Sequence, residues 1–198
     1  MKADINDTDK TARSAEKLEK AEKKVVKAEK SVKEYQTFIL KLIAFLLAVW
    51  VLFFQIVGLT HMPGEDMSPR IDAGDMVLFY RLDKDVKAQD VVVLEKQTPD
   101  SSSDQLFISR VVAKGGDTVE ITDDNRLVVN GNTMIENRIF YSTPRYEDYT
   151  AYPLTLAQDE CFVLADAREG GNDSRYFGAV KTNEIRGTVI TILRRNNL

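Results

Sequence analysis

The sequence predicts an all-β antiparallel domain on a single N-terminal transmembrane helix, which is preceded by a charged helix. Three observations lead to this fold class. Residues 1–37 contain no glycine or proline, residues 38–59 form an apolar run, and residues 60–198 hold short β-branched and aromatic segments between turn residues. We therefore divide the chain into a cytoplasmic helix (1–37), a membrane span (38–59) and an extracytoplasmic β domain (60–198).

The first part is rich in lysine, glutamate and alanine. From Leu18 onward its apolar positions follow the alternating spacing of three and four residues that is typical of a heptad seam. The seam positions are Leu18, Ala21, Val25, Ala28, Val32 and Tyr35. Because alanine adds little packing, the pattern predicts at most a weak coiled coil. Residues 14–35 are therefore either a solvated helix with an apolar stripe or a helix that binds a partner or a second copy.

The apolar run over residues 38–59 carries one charge, Lys41, near its start. At a rise of about 1.5 Å per residue it would extend roughly 33 Å, enough to cross the hydrocarbon core of a bilayer. The run is too long for the apolar region of a cleaved signal peptide, and no A-x-A-like site follows it. We expect an uncleaved anchor.

Basic residues flanking the run predict its orientation. Lysines at 20, 23, 24, 27, 30 and 33 precede it, whereas His61, Glu65 and Asp66 follow it. The positive-inside rule, which counts lysine and arginine, places the N-terminus in the cytoplasm and residues 60–198 outside. The prediction is a single-pass membrane protein.

The outer part is predicted to be a β domain from its strand-like segments. They are Met76–Tyr80, 91–94, 106–112, Thr118–Ile121, Leu127–Val129, 161–164 and 188–193. Asn130-Gly131 predicts a hairpin turn, because both turn positions favour positive φ. Residues 101–103 are expected to form a loop, and residues 131–159 a long excursion.

Composition excludes several kinds of site. A net charge of −4 gives no general affinity for nucleic acid. Cys161 is the only cysteine, so it cannot form an intramolecular disulfide, and its apolar neighbours predict a buried small side chain. His61 is the only histidine, which does not suggest a metal site. We expect neither a metal nor a cofactor.

Segments of the outer part resemble the four sequence boxes of type I signal peptidases, in the same order. They are residues 64–69 with 73–75, residues 89–93, residues 107–117, and residues 165–168 with 172–178. They resemble G-x-S-M-x-P with G-D, then G-D-V-V-x, then Y-x-K-R-V-x-G-x-x-G-D, then G-D-N-R with D-S-R-x-x-G. The chain is identified as a member of that family over roughly residues 60–195, which implies the β fold of serine–lysine peptidases.

The resemblance breaks at three positions that imply catalysis in the family. Asp66 stands at the position of the nucleophilic serine, Ser109 at that of the general-base lysine, and Gly171 at that of the hydroxyl that orients this lysine. The family lysine must be neutral to act, so it occupies a desolvated site that lowers its pKa. We expect no intact catalytic pair, and hence a pseudoenzyme.

Other residues are poor replacements. Ser109 could attack with Asp66 as its base, but a carboxylate with a pKa of about 4 is a weak base unless burial raises that pKa. Ser68 precedes Pro69 and is expected to be a turn serine. An odd offset along a strand puts Lys114 and Arg110 on the face opposite Ser109, and the Arg110 guanidinium stays protonated.

The retained motif residues are expected to be scaffold. They are Gly64, Met67, Pro69, Arg110, Asp166, Asp173, Ser174 and Arg175. Asp173 and Arg175 are expected to form a partly buried ion pair that holds a loop. Asp75, Asp117 and Asp166 are expected to form turns.

The resemblance implies a non-catalytic membrane protein of a bacterial cell, similar to the pilus-associated members of the family. Such a protein would assist assembly of exported proteins or pilins at the outer membrane face, beside a sortase. Two alternatives stay open. The chain could be an active signal peptidase that cleaves exported preproteins with a rewired or partner-completed site, or a membrane scaffold driven by its N-terminal helix.

Overall fold

The computed structural model describes residues 4–136, 139, 141–146 and 148–194, without the side chains of residues 4–18 and 21. It divides the chain into two compact units, Met1–Phe53 and Phe54–Leu198. The division of the chain by membrane compartment stays a prediction.

Helix α1 runs without interruption over Asp4–Ile56 and makes up the described part of the first unit. Its part from Glu22 to Ile56 is long and apolar enough to cross a membrane, and none of its most apolar window is buried inside the protein. The helix ends before Leu59, so the prediction of helix through that residue was wrong. Val57 and Gly58 instead enter a strand, where a Cβ on Gly58 would lie 2.1 Å from the Phe79 ring.

The second unit is built from two antiparallel sheets, which confirms the antiparallel β part of the predicted fold class. The larger sheet contains β1 (Val57–His61), β2 (Met76–Tyr80), β3 (Val91–Thr98), β4 (Ser101–Lys114), β9 (Glu160–Leu164), β10 (Val180–Lys181) and β11 (Ile185–Leu193). The smaller one contains β5 (Thr118–Ile121), β6 (Leu127–Val129), β7 (Asn132–Thr133) and β8 (Leu154–Thr155). Their strand orders are β1-β2-β11-β3-β4-β9-β10 and β7-β6-β5-β8. A short helix α2 (Ser174–Phe177) and a 3₁₀ turn (Thr182–Glu184) lie between β9 and β11.

Most of the predicted strands are present. β2, β5 and β6 have the predicted bounds, and β3, β4, β9 and β11 extend beyond the predicted segments. The loop predicted at residues 101–103 was wrong, because the chain turns at Pro99 and Asp100 and β4 starts directly after them. Asn130 and Gly131 have φ of 52° and 76°, which confirms the hairpin turn between β6 and β7.

Clusters of buried apolar residues in the second unit include residues of the sequence motifs and hold these segments in place. Met67 is fully buried in one cluster with Ile108 of β4 and Val93 of β3. Cys161 is buried beside Val111 in another, as predicted, and burial raises the pKa of its thiol to about 12.

Candidate functional site

The segment between β1 and β2 presents Asp66 at the surface of the larger sheet. The segment is closed by backbone hydrogen bonds from Met62 N to Asp75 O and from Gly74 N to Met62 O. The Asp66 carbonyl oxygen accepts a hydrogen bond of 2.9 Å from Ala167 N, and Asp66 Oδ1 accepts one of 3.3 Å from Asn172 N. These bonds join the first and last of the four sequence boxes.

Asp66 lines an acidic cleft with a volume of about 420 Å³. The cleft is lined by Glu65, Asp66, Ser68, Pro69, Tyr141, Ala167, Glu169, Gly170 and Gly171. Within the described part of the chain, none of its three carboxylates forms an ion pair with a lysine or arginine. Burial raises the pKa of Asp66, the Asn172 amide opposes that rise, and the negative charge of Asp173 adds to it. The cleft therefore disfavours any additional negative charge and favours a cationic or neutral ligand.

Ser109 does not line this cleft. It lies on β4 opposite Val92 of β3 and has no exposed surface. Its Oγ is buried and has no hydrogen-bond partner among the residues that the structure describes. Such an orphaned hydroxyl costs free energy, because it has lost its bonds to water without replacement. The structure thus brings Asp66 and Gly171 to one cleft and encloses Ser109 in the sheet.

The expectation that Lys114 lies on the opposite face from Ser109 was wrong. Val112 is an extra residue in β4, because Val111 pairs with Val163 whereas Ala113 pairs with Phe162. This bulge shifts the alternation by one residue, so Lys114 returns to the face of Val111 and Ser109. Lys114 is exposed nonetheless, and Ser109 Oγ receives no hydrogen bond from it.

Ser68 behaves as the predicted turn serine. Its Oγ donates to Asp72 Oδ1 over 3.1 Å, four residues ahead. Although Ser68 lines the cleft, its hydroxyl is directed to a carboxylate of its own turn and not to an amine.

No side chain fits at Gly171 in this backbone. A Cβ there would lie 2.5 Å from the Ala165 Cβ and 2.7 Å from the Ala167 carbonyl oxygen. The Gly171 carbonyl accepts a hydrogen bond of 3.1 Å from Tyr146 Oη, a contact that sequence reasoning missed. Burial raises the pKa of the Tyr146 hydroxyl, which keeps it a donor at neutral pH.

The expected ion pair between Asp173 and Arg175 is present and both side chains are fully buried. Arg175 Nη2 lies 2.7 Å from Asp173 Oδ2, and its Nη1 donates to the Arg168 carbonyl oxygen over 2.7 Å. Its guanidinium also stacks on the Tyr146 ring, 4.4 Å from the centroid. Ser174, next to the pair, accepts a 3.0 Å hydrogen bond at Oγ from Val163 N.

Two further buried arginines are paired. Arg110 Nη2 lies 2.5 Å from Asp166 Oδ2 and its Nε lies 2.7 Å from Oδ1, so the expectation that Asp166 is a turn former was wrong. Arg168 Nη2 lies 2.6 Å from Glu136 Oε1. Glu136 belongs to an irregular segment without a sequence motif, and only the buried Arg168 in the last box could have indicated that a carboxylate partner was needed.

The remaining motif residues support the backbone. A Cβ at Gly64 would lie 3.6 Å from Asp66 Oδ2, which is ordinary contact, and Pro69 forms one wall of the cleft.

The described residues contain no group of three or more His, Cys, Asp or Glu side chains arranged to hold a metal ion.

Comparisons with known proteins identify the family and the proteins to which this chain is similar. Residues 32–193 match the family described as signal peptidase, peptidase S26. Signal peptidase I of Leptolyngbya laminosa is 30% identical over 139 residues, which cover 66% of this chain and 65% of that protein. Probable thylakoidal processing peptidase 2 of Arabidopsis thaliana is 30% identical over 132 residues, which cover 63% of this chain and 35% of that protein. The chain thus spans less than two thirds of the length of either relative. A crystal structure of a signal peptidase I from Enterococcus faecalis V583 is 28% identical, with a TM-score of 0.43, and covers 54% of this chain and 97% of that one.

Proposed function

Because the chain belongs to the signal peptidase family, peptidase S26, we propose that it is a non-catalytic member that holds exported proteins instead of cutting them. It would be anchored in a bacterial cell membrane by α1 and would assist assembly at the outer face. Its clients would be exported proteins or pilins, with a sortase as the enzyme that joins them.

One observation carries this proposal: the two positions where the family has its serine and lysine hold groups that cannot form that pair. At the first, Asp66 offers a carboxylate to the cleft. At the second, Ser109 offers a hydroxyl that is enclosed and has no hydrogen-bond partner. A hydroxyl becomes a nucleophile only when a neutral base accepts its proton, and neither position supplies an amine.

The expected deficit is large. Loss of the nucleophile or the base in a serine-protease constellation lowers the rate by roughly 10⁶. This factor corresponds to about 8 kcal/mol of barrier, at roughly 1.4 kcal/mol per tenfold. Binding alone could leave residual cleavage, but not the turnover that a processing enzyme needs.

A free strand edge supports the peptide-holding role. Within the described residues, β9 pairs with β4 only over Arg110–Lys114, so the part of β4 before Arg110 is paired on one side, with β3. The free edge ends at Ser109, where the chain leaves β9 and connects to Asp66 through Ala167. An extended peptide can add to such an edge through main-chain hydrogen bonds, without any catalytic group.

The alternative of an active signal peptidase is favoured by one specific observation. Burial raises the pKa of Asp66, which makes its carboxylate a stronger base than an exposed one. Asp66 would have to remove a proton from Ser109, yet Ser109 Oγ has no hydrogen-bond partner. The described geometry therefore supports the non-catalytic role better.

Cleavage of a defined precursor separates the two functions. The full chain in detergent is incubated with a secretory precursor that carries an A-x-A site, alongside Asp66→Ala and Ser109→Ala. We expect no cleavage by any of the three. Cleavage by the unmodified chain that both substitutions abolish would establish the enzyme and overturn our proposal.

The double variant Asp66→Ser/Ser109→Lys tests whether only the dyad is missing. We expect weak proteolysis at most, because Gly171 leaves no room for the orienting hydroxyl and position 109 is enclosed. Strong cleavage would show that the rest of the pocket is intact, and would weaken the idea of a repurposed groove.

The holding role is tested in cells with a photo-crosslinking amino acid at Tyr141, which lines the cleft and is exposed. The same amino acid at Asp123, whose side chain is almost fully exposed on the β5–β6 connection, is the control. We expect crosslinks to exported proteins or pilins from position 141 only. Identical products from both positions would contradict a binding function of the cleft.

A further inference from the structure

The N-terminal helix carries an apolar seam that the described structure leaves uncovered. Among its seam residues, Val25 is 57% exposed, Val32 54% and Tyr35 66%. The helix contains no break from Asp4 to Ile56, so these side chains keep heptad spacing on one continuous helix. A second helix packed along this seam would bury the exposed side chains of Val25 and Val32, which lie seven residues apart.

The charges beside this seam follow a definite pattern. When Leu18, Val25 and Val32 are the a positions and Ala21, Ala28 and Tyr35 the d positions, the flanking g positions are Lys17 and Lys24. The flanking e positions are Glu22 and Glu29. At these flanking positions the lysines thus lie on one side of the seam and the glutamates on the other. In the described part of the chain, neither Lys24 nor Glu29 has an ion-pair partner.

This separation distinguishes between the two ways of pairing two copies. In a parallel dimer a g residue faces the e residue five positions later on the other helix, so Lys24 faces Glu29 and Lys17 faces Glu22. In an antiparallel dimer g faces g and e faces e, which would place lysine against lysine and glutamate against glutamate. Only the parallel arrangement puts opposite charges together.

The candidate membrane span of the same helix also requires a parallel arrangement of the two copies. The stretch from Glu22 to Ile56 includes the candidate membrane span, and copies inserted in one membrane share their orientation. Two of the three a positions hold valine, and β-branched residues at a are typical of two-stranded coiled coils. We infer that the partner of residues 18–35 is a second copy of this chain, bound as a parallel, in-register coiled coil with Lys24–Glu29 pairs between the helices.

Disulfide trapping of the full chain in its membrane tests this inference. A cysteine at Ala28, a d position, is compared with a cysteine at Lys30, the f position farthest from the seam, both in a Cys161→Ala background. In a parallel, in-register pair the two copies of position 28 come within disulfide range, whereas those of position 30 point apart. We expect a covalent dimer from Ala28→Cys and much less from Lys30→Cys.

Charge reversal tests the pairing itself. Lys24→Glu turns the attractive contacts into repulsive ones and should raise the dissociation constant roughly tenfold. Adding Glu29→Lys should restore dimerisation. Lys30→Glu changes the net charge by the same amount away from the seam and should leave dimerisation unchanged, which controls for effects on membrane insertion.

Sedimentation equilibrium of the full chain in detergent micelles gives the dissociation constants. Three outcomes would overturn the inference. They are equal trapping at positions 28 and 30, a monomer at every concentration, and failure of Lys24→Glu/Glu29→Lys to recover what Lys24→Glu loses. Each measures self-association directly, so the results do not depend on what the outer domain binds.

Discussion

Polar groups at the cleft and in the adjoining scaffold have opposite surroundings. In the scaffold, Arg110, Arg168 and Arg175 are buried, and each lies within 2.7 Å of a carboxylate oxygen. At the cleft, no described lysine or arginine forms an ion pair with the Asp66 carboxylate. On β4, the Ser109 hydroxyl has no hydrogen-bond partner among the described residues. The buried arginines of the scaffold are thus paired, whereas within the described residues Asp66 has no ion pair and Ser109 Oγ has no hydrogen bond.

This difference determines which of these side chains can be replaced singly without loss of the fold. Removing one member of a buried ion pair leaves an uncompensated charge, which makes the scaffold residues hard to replace singly. Replacement of Ser109 would leave no described partner unpaired, and replacement of Asp66 would free only the Asn172 amide and no buried charge. In physical terms, the side chains at positions 66 and 109 are easier to replace than the members of the arginine pairs.

The largest effect is expected when a scaffold pair is broken. Arg175→Met removes the partner of the fully buried Asp173 and the donor to the Arg168 carbonyl oxygen. We expect the free energy of unfolding to fall by about 3–5 kcal/mol. Calorimetry of the full chain in detergent micelles measures it.

Arg186→Ala is the matched control for Arg175→Met. It breaks the ion pair with Glu95, in which both side chains are partly exposed to solvent. Its cost should stay below about 1 kcal/mol. Equal losses in the two variants would contradict the view that the buried pairs hold the site together.

Local patterns in the sequence were sufficient to predict the elements that local interactions determine. The alternation in Thr118–Ile121 and the Asn130-Gly131 turn are properties of a few adjacent residues, and both were predicted correctly. Val57 and Leu59 were assigned to the helix, because an apolar run is compatible with both helix and strand. Their pairing with β2 decides the matter, and that contact is distant in sequence.

The candidate site likewise contains features that the sequence predicted and features that it did not. The family resemblance assigned Asp66 and Gly171 to one site, and both residues line the same cleft. The bulge at Val112 and the enclosure of Ser109 depend on the register of β4 against β9 and β3, which no residue type in the motif indicates. The Glu136 partner of Arg168 is 32 positions away in an irregular segment.

A smaller effect, of opposite sign, is expected at Ser109. Ser109→Ala removes a buried hydroxyl without a partner and should raise the free energy of unfolding by roughly 1 kcal/mol. Ser174→Ala is the matched variant, because Ser174 is equally buried but its Oγ accepts a hydrogen bond from Val163 N. It should cost roughly 1–3 kcal/mol. Destabilisation by both substitutions would mean that Ser109 Oγ has a partner after all.

The smallest effect is the pH dependence introduced by Asp66, and Asp66→Asn isolates it because the amide oxygen can still accept from Asn172 N. Burial raises the pKa of Asp66 in the folded chain, so the folded state holds this proton more tightly than the unfolded state does. Stability of the unmodified chain should therefore fall, relative to Asp66→Asn, as the pH rises from about 4 through the raised pKa. Below that window the two proteins should unfold at the same temperature, apart from a constant offset. A relative gain in stability of the unmodified chain with rising pH would mean that a cation already stabilises the Asp66 carboxylate, and the contrast between cleft and scaffold would fail.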